Sequence, residues 1–202
     1  MHETQPETGV PPAARVPWRS LAVIVGVVLL LAVGWPIVNA AIADEKPVAD
    51  GSTMSVAEGG GHEARLTFGP GWTLRPGQST EGRTYHFTRG GVEMTVLSAV
   101  LDQPRDIDEL WAGLRRIVQV DHPGAELGEP RVTMSRNDAG GWTGPLVDGD
   151  RTGRAVVYPS PGTAFAVEMT ILAAPDASDD DQRAAGELAS SIAFTGKGGS
   201  GS

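Results

Sequence analysis

The sequence contains no cysteine among its 202 residues. This absence excludes disulfide bonds, thiolate catalysis and zinc sites built on cysteine. Basic residues are also scarce, since 16 Lys and Arg stand against 25 Asp and Glu, and the net charge is −9. Nucleic-acid binding needs a basic surface that displaces counterions from phosphates. The composition therefore predicts no nucleic-acid partner.

A segment near the start carries no charged residue. Leu21 to Ile42 is a run of 22 mostly apolar residues, about 33 Å long as a helix. This length crosses a hydrocarbon core of about 30 Å, and the run lacks the polar face of a soluble helix. Arg15 and Arg19 precede it, and two acids follow it. The positive-inside rule therefore predicts a transmembrane helix over residues 21–42, a cytoplasmic tail over 1–20 and an exported remainder.

A cleaved signal peptide is the alternative interpretation of this segment. Ala41-Ile42-Ala43 forms an A-x-A cleavage site, whereas the long N-terminal region with its two glutamates and the length of the apolar run favour an uncleaved anchor. An uncleaved anchor predicts a single-pass cell-membrane protein with a cytoplasmic N-terminus, and cleavage predicts a secreted protein. Both alternatives place the C-terminal domain outside the cell.

The composition also divides the exported part. Residues 43–61 contain Pro, Ser and several Gly without a sustained apolar period, which predicts a flexible linker. Residues 196–202 (GKGGSGS) are predicted to form a disordered tail. The intervening residues 62–195 are the predicted folded domain. A domain of this size can bury enough apolar surface to be stable without disulfide bonds.

Alternating apolar residues and Gly-rich turns predict a series of short strands in this domain. The clearest is Val92–Leu101, which the short Arg89–Gly91 link joins to the strand before it as a hairpin. Helical spacing of apolar residues marks Asp106–Val120, with an aspartate N-cap, and Ser178 is predicted to cap a second helix. The expected fold class is α+β, a mostly antiparallel sheet flanked by helices and preceded by the N-terminal transmembrane helix.

Several local sequences resemble a known family. A Gly-Pro-Gly-Trp turn (Gly69–Trp72), the hairpin TYHF…GGVEMTVLSAV, the helix DIDELWAGL and the ending ELASSIAF follow one another in the chain. This order resembles the PsbP-like fold family, which includes exported lipoproteins of the LpqN type and DcrB-like proteins. The resemblance covers about residues 62–195. It implies an α/β/α sandwich that acts as a non-catalytic binding or accessory module, although the chain lacks the lipobox cysteine of the lipoproteins.

The sequence shows no motif for catalysis, metal binding or a cofactor. A G-x-S-x-G elbow is absent, and His62, His86 and His122 lie in no recognisable catalytic setting. The acidic clusters at 148–150 and 179–181 have the spacing of a hairpin turn and a helix start rather than that of an EF-hand loop. We therefore expect no catalytic, metal-binding or cofactor-binding residue, and no enzyme.

A recognition patch is the remaining expectation. Aromatic rings with a few polar groups suit peptides, glycans or lipid tails, and the residues predicted for this role are Trp72, Arg75, Tyr85 and His86. The expected function is a membrane-anchored extracytoplasmic binding or accessory module of the bacterial cell envelope, with the membrane and an envelope protein or lipid as partners. Two alternatives stay open: an exported hydrolase acting on envelope material, and a carrier of a small ligand or lipid.

Overall fold

The computed structural model describes residues 45–103 and 105–196. The predicted cytoplasmic tail over 1–20, the predicted transmembrane helix over 21–42 and all but the first residue of the predicted tail over 196–202 lie outside these residues. Within the described ranges, no helix is long and apolar enough to span a bilayer.

The described residues form twelve strands and two α-helices. The helices are α1 (Ile107–Asp121) and α2 (Asp179–Ser190). The strands are β1 (Lys46–Pro47), β2 (Thr53–Gly59), β3 (His62–Thr67), β4 (Thr73–Leu74), β5 (Thr84–Arg89), β6 (Val92–Val100), β7 (Glu126–Leu127), β8 (Arg131–Met134), β9 (Gly140–Asp148), β10 (Arg151–Pro159), β11 (Phe165–Ala173) and β12 (Ala193–Gly196).

The strands form two antiparallel sheets. The main sheet has nine strands in the order β1-β4-β5-β6-β11-β10-β9-β7, and β8 also pairs with β9. The small sheet has the order β12-β3-β2. The prediction of an α+β fold with a mostly antiparallel sheet is confirmed. The small sheet was not expected, because its strand β2 lies in residues 43–61, the segment predicted as a linker.

That linker prediction is wrong for most of residues 43–61. Strand β2 lies in this segment, and its residues Val56 and Ala57 are buried in the core. The glycines that suggested flexibility form the turn of a hairpin instead, since Gly60 and Gly61 have positive φ angles and join β2 to β3. The folded domain therefore begins near Lys46 rather than at residue 62.

The helix predictions are confirmed. The side chain of Asp106 accepts a hydrogen bond from the amide of Glu109 at 2.9 Å, and Ser178 accepts one from the amide of Asp181 at 3.1 Å. Both contacts satisfy amide groups that have no partner within the first turn of a helix. The short link at Arg89–Gly91 also forms the expected hairpin, with Arg89 opposite Val92.

Two hydrophobic clusters lie on opposite faces of the main sheet. On one face the small sheet and α2 cover apolar residues of β5, β6, β10 and β11, which include Phe87, Met94, Val156, Val167 and Met169. On the other face α1 covers a smaller cluster, which includes Leu110, Trp111, Leu146, Val157 and Leu172. The sheet is thus flanked by a helix on each side, with the small sheet as an additional cover on one side.

Candidate functional site

The face of the main sheet that carries α1 is apolar over β9 and β10, whereas β5, β6 and β11 also place polar side chains on it. Within one row across the strands, His86 lies opposite Thr95, and Thr95 lies opposite Thr170. In the next row Leu97 lies between Thr84 and Glu168. Because alternate residues of a strand share a face, these side chains form one strip. We call it the polar strip, because all its members except Leu97 are polar: Thr84, His86, Thr95, Leu97, Glu168 and Thr170.

Helix α1 leaves this strip partly uncovered because of where Trp111 docks. The Trp111 indole packs on β9, where a Cβ atom at Gly144 would come within 2.7 Å of the ring. The indole Nε1–H donates to the carbonyl of Gly128 at 3.0 Å. The absence of a side chain at Gly144 therefore lets the ring contact the strand closely. This docking holds α1 over β9 and β10, to one side of the polar strip.

The space between α1 and the polar strip is a groove of about 780 Å³. This volume lies within the range of about 300–1,000 Å³ that is typical of small-molecule sites. The groove is lined on the helix side by Leu114, Arg116, Ile117, Val118, Val120, Asp121 and His122. Its floor is therefore largely polar, and its helical wall combines apolar side chains with charges of both signs.

His86 lies on the floor of the groove and is partly buried. Its Nδ1 atom lies 3.1 Å from the hydroxyl of Thr95 on the neighbouring strand. Burial holds the pKa of His86 below its ordinary value of 6.5, although the nearby carboxylates of Asp121 and Glu93 act in the opposite direction. The guanidinium of Arg75 lowers this pKa further. The imidazole is therefore neutral at pH 7 and can accept or donate a hydrogen bond.

Glu168 is the most unusual residue of the floor. It sits in the middle of β11 and is only 4% exposed. Its Oε2 atom is buried and has no hydrogen-bond partner among the described residues. Burial raises the pKa of this carboxyl from 4.5 to about 7, and the charge of Arg105 opposes the shift. At neutral pH the carboxyl is therefore divided between its ionised and its protonated form.

An ion pair and a histidine–carboxylate contact lie at the rim of the groove. Glu93 on β6 accepts a hydrogen bond from Arg151 at 2.8 Å, and His122 contacts Asp148 at 2.8 Å. The second contact joins the end of α1 to the β9–β10 hairpin, whose Asp148-Gly149-Asp150 turn was predicted from the sequence. Glu93 and His122 are engaged in these contacts. The polar groups that can bind a ligand therefore lie mainly on the polar strip.

The structure separates the four residues of the predicted recognition patch. Trp72 and Tyr85 belong to the core on the α2 side, at 1% and 7% exposure. His86 lies on the opposite face, in the groove, and Arg75 is close enough to it to affect its pKa. Tyr85 and His86 are consecutive residues of β5 and must point to opposite faces. The four residues therefore do not form one surface, and only His86 lines the groove.

Sequence reasoning missed Glu168, the residue that distinguishes this site. One signal was present: Glu168 is the single charged residue in the strand FAVEMTILA. A carboxyl inside an otherwise apolar run is costly to bury unless it has a role or a partner. No group of three or more metal-ligating side chains occurs within residues 45–103 and 105–196, and the strip suits hydrogen bonding to an organic ligand better than metal coordination.

Comparison with known proteins concerns the fold alone. No protein-family model matches the chain, and no curated protein sequence matches it significantly. A structure search finds similarity to the solution structure of the cyanobacterial PsbP (CyanoP) from Synechocystis sp. PCC 6803. The identity is 17% and the TM-score 0.49, over 73% of this chain and 95% of that one. The PsbP-like resemblance seen in the sequence thus has a counterpart among solved structures, whereas this structure does not identify the narrower LpqN-type or DcrB-like groups.

A second solved structure, from Bacteroides thetaiotaomicron VPI-5482, is similar to the chain at 10% identity and a TM-score of 0.41. The match covers 74% of this chain but only half of the other protein.

Proposed function

We propose that this protein is a non-catalytic binding module of the bacterial cell envelope and that its ligand site is the groove between α1 and the polar strip. The observation that supports this proposal is the strip itself. A position that a sandwich normally fills with apolar packing carries polar side chains from three adjacent strands, under an open space of about 780 Å³. Polar groups gathered in a partly apolar groove are the usual features of a small-molecule site.

The proposal is tested by a ligand screen with the full chain in detergent. The panel contains neutral sugars, short peptides, fatty acids and organic cations, and the readout is the melting temperature. A ligand at about 100 times its Kd adds about 2.7 kcal/mol to stability, or roughly 5–10 °C for a domain of this size. Leu97→Trp, which fills the groove, should abolish the shift, whereas Val132→Trp, on the exposed strand β8, should keep it. A panel without effect, or shifts that survive Leu97→Trp, would contradict a ligand site in the groove.

The second part of the proposal is the location. We infer that residues 21–42 anchor the chain in the membrane and that residues 43 onward lie outside the cytoplasm, because the uncharged run follows two arginines. The absence of native cysteine gives a clean test. Val132→Cys, at a position that is 82% exposed, should react with a membrane-impermeant maleimide in intact cells, and Val10→Cys should react only after lysis. The reverse labelling would show the opposite topology.

One observation favours a hydrolase as a second candidate. Glu168 has the raised pKa of a general acid and shares the groove with the carboxylates of Glu93 and Asp121. The register argues against the pair of Glu168 and Glu93: Glu93 lies opposite Leu172, four residues from Glu168 along β11. At about 3.3 Å per residue, the backbones of Glu168 and Glu93 are thus about 13 Å apart. The two carboxyl groups of a glycosidase are normally separated by about 5–9.5 Å, which is a shorter distance. Hydrolysis of envelope glycans that disappears in Glu168→Gln would establish the hydrolase instead.

A further inference from the structure

The buried carboxyl of Glu168 has an oxygen atom to which none of the residues 45–103 and 105–196 donates a hydrogen bond. Leu97 on β6 and Val157 on β10 lie opposite it in the two neighbouring strands, so that an apolar side chain flanks it on each side across the sheet. Its Oε2 atom has no partner within the described residues. An ionised carboxylate in such surroundings is unfavourable unless a donor, best of all a cationic one, reaches it. The groove is the open side from which a donor can come, because Glu168 is one of its lining residues.

The charged groups around Glu168 leave this requirement unmet. Arg105, in the segment before α1, acts on the carboxyl through its charge, and the pKa is nevertheless raised to about 7. The other titratable or charged groups that face the groove come from β5, β6 and α1: His86, Glu93, Arg116, Asp121 and His122. Glu93 forms an ion pair with Arg151, and His122 contacts Asp148. His86 is held neutral beside Thr95, and the cation that acts on the pKa of Glu168 is Arg105 rather than Arg116.

The remaining walls set the shape of the ligand. Leu97, Leu114 and Ile117 present apolar surface to the groove. Thr170, two residues from Glu168 along β11, and Thr84, beyond Leu97 in the same row, place hydroxyl groups on the floor. Hydroxyl oxygens accept hydrogen bonds from an ammonium group, which has three donors and no acceptor. Apolar walls favour an alkyl or similar body attached to that group.

We propose that the groove binds a small organic cation, an ammonium group on a short apolar body, whose N–H groups donate to the carboxyl of Glu168 while Leu97, Leu114 and Ile117 cover the apolar body. This inference rests on the proposed function, because it assigns a ligand class to the same groove. Binding requires the ionised carboxylate, and it therefore releases a proton wherever Glu168 is protonated beforehand.

The test compares three four-carbon compounds that differ in their head group: butylammonium, butyrate and butanol. Each is titrated into the full chain in a zwitterionic detergent at pH 8, with backbone amide shifts as the readout. Butylammonium should move the amides of the polar strip, with a Kd in the millimolar range expected for so small a ligand. Butyrate and butanol should leave them unchanged.

Two variants and a pH series assign the effect to Glu168. Glu168→Gln keeps the shape of the side chain and should weaken butylammonium binding at least tenfold, whereas Glu126→Gln, on β7 outside the groove, should bind normally. Between pH 8 and pH 5.5 the affinity should fall about thirtyfold, following a carboxyl with a pKa of about 7. In Glu168→Gln this pH dependence should vanish.

The outcomes separate this inference from the proposed function. If butyrate or butanol moved the amide signals of the polar strip and butylammonium did not, the ligand would not be a cation, and the groove would remain a ligand site. Equal binding of butylammonium by Glu168→Gln and the unaltered chain would also overturn the cation. Shifts only outside the polar strip, together with a ligand panel that has no effect, would overturn both.

Discussion

The two faces of the main sheet differ in how completely they are covered. On the α2 side, Phe87 and Met94 are fully buried, and the Phe68 and Phe87 rings lie 4.8 Å apart. On the α1 side, the same two strands contribute His86 and Thr95, which line an open groove. Because neighbouring residues of a strand point to opposite faces, one pair of strands contributes both to the fully buried core and to the floor of the site.

This contrast indicates a division of labour within the domain. Burial of apolar surface supplies most of the folding free energy, and here it is concentrated on the α2 side. The α1 side contributes fewer apolar contacts and keeps polar groups partly solvated. The groove can therefore vary in sequence at little cost in stability, and substitutions on the two faces should differ in their effects.

The largest effect is expected from a pair of neighbouring substitutions in β5. Phe87→Ala leaves a cavity in the core and should cost about 3–5 kcal/mol in the free energy of unfolding. His86→Ala, one residue away on the groove side, should cost about 1 kcal/mol, mainly through the lost contact with Thr95. Urea unfolding measured by circular dichroism compares the two. Equal losses would show that the groove side is as tightly packed as the core.

The next largest effect depends on pH. The folded state raises the pKa of Glu168 from 4.5 to about 7, so it holds the proton more tightly than the unfolded chain does. The raised pKa of Glu168 therefore lowers the free energy of unfolding as the pH rises from about 4.5 to 7. Above about pH 7 this loss of stability stays constant. The full penalty is roughly 3 kcal/mol at about 1.4 kcal/mol per pKa unit.

Glu168→Gln removes this penalty and should stabilise the protein by roughly that amount at pH 8 and hardly at all near pH 4. Thermal unfolding of both proteins across this range gives the difference. His86 has a lowered pKa and acts in the opposite direction, destabilising the fold as the pH falls below 6.5. It affects both proteins and therefore cancels in the comparison. A constant difference between pH 4 and pH 8 would contradict the raised pKa.

Local sequence was sufficient to predict the elements whose signals are local. The spacing of apolar residues and the cap at Asp106 predicted α1, and the short link at Arg89–Gly91 predicted a hairpin. Strand β2 was missed because small residues and flanking glycines conceal it, and its burial depends on pairing with β3. A strand that is stabilised mainly by pairing with its neighbour cannot be predicted from its own residues alone.

The site depends on long-range pairing and was therefore only partly predictable. His86 could be chosen from the sequence, but its neighbours could not, because β6 is followed in the sheet by β11, about 70 residues later in the chain. The burial of Glu168 follows from that pairing and from the position of α1. The grouping of Tyr85 with His86, in contrast, could have been avoided, since consecutive strand residues do not share a face.

A smaller effect is expected where α1 docks on the sheet. Trp111→Phe removes the hydrogen bond to the carbonyl of Gly128 and leaves a small void over Gly144. The expected loss is about 2 kcal/mol. Trp142→Phe, at the partly buried edge of the same cluster, should cost less than half of this. If the two losses are equal in thermal unfolding, the Trp111 contact does not determine the position of the helix.

The smallest effect distinguishes the two helices by their caps. Asp106→Ala and Ser178→Ala each remove a cap and should each cost about 1 kcal/mol, while Asp106→Asn keeps an acceptor and should cost only a few tenths of a kcal/mol.

The two alanine variants should differ in their effects on amide hydrogen exchange. Helix α1 covers the less packed face, so Asp106→Ala should speed exchange mainly within α1 by local opening. Helix α2 belongs to the main core, so Ser178→Ala should speed exchange across both sheets together. Identical exchange patterns for the two alanine variants would show that the faces unfold as one unit, and the groove would then be as stable as the core behind it.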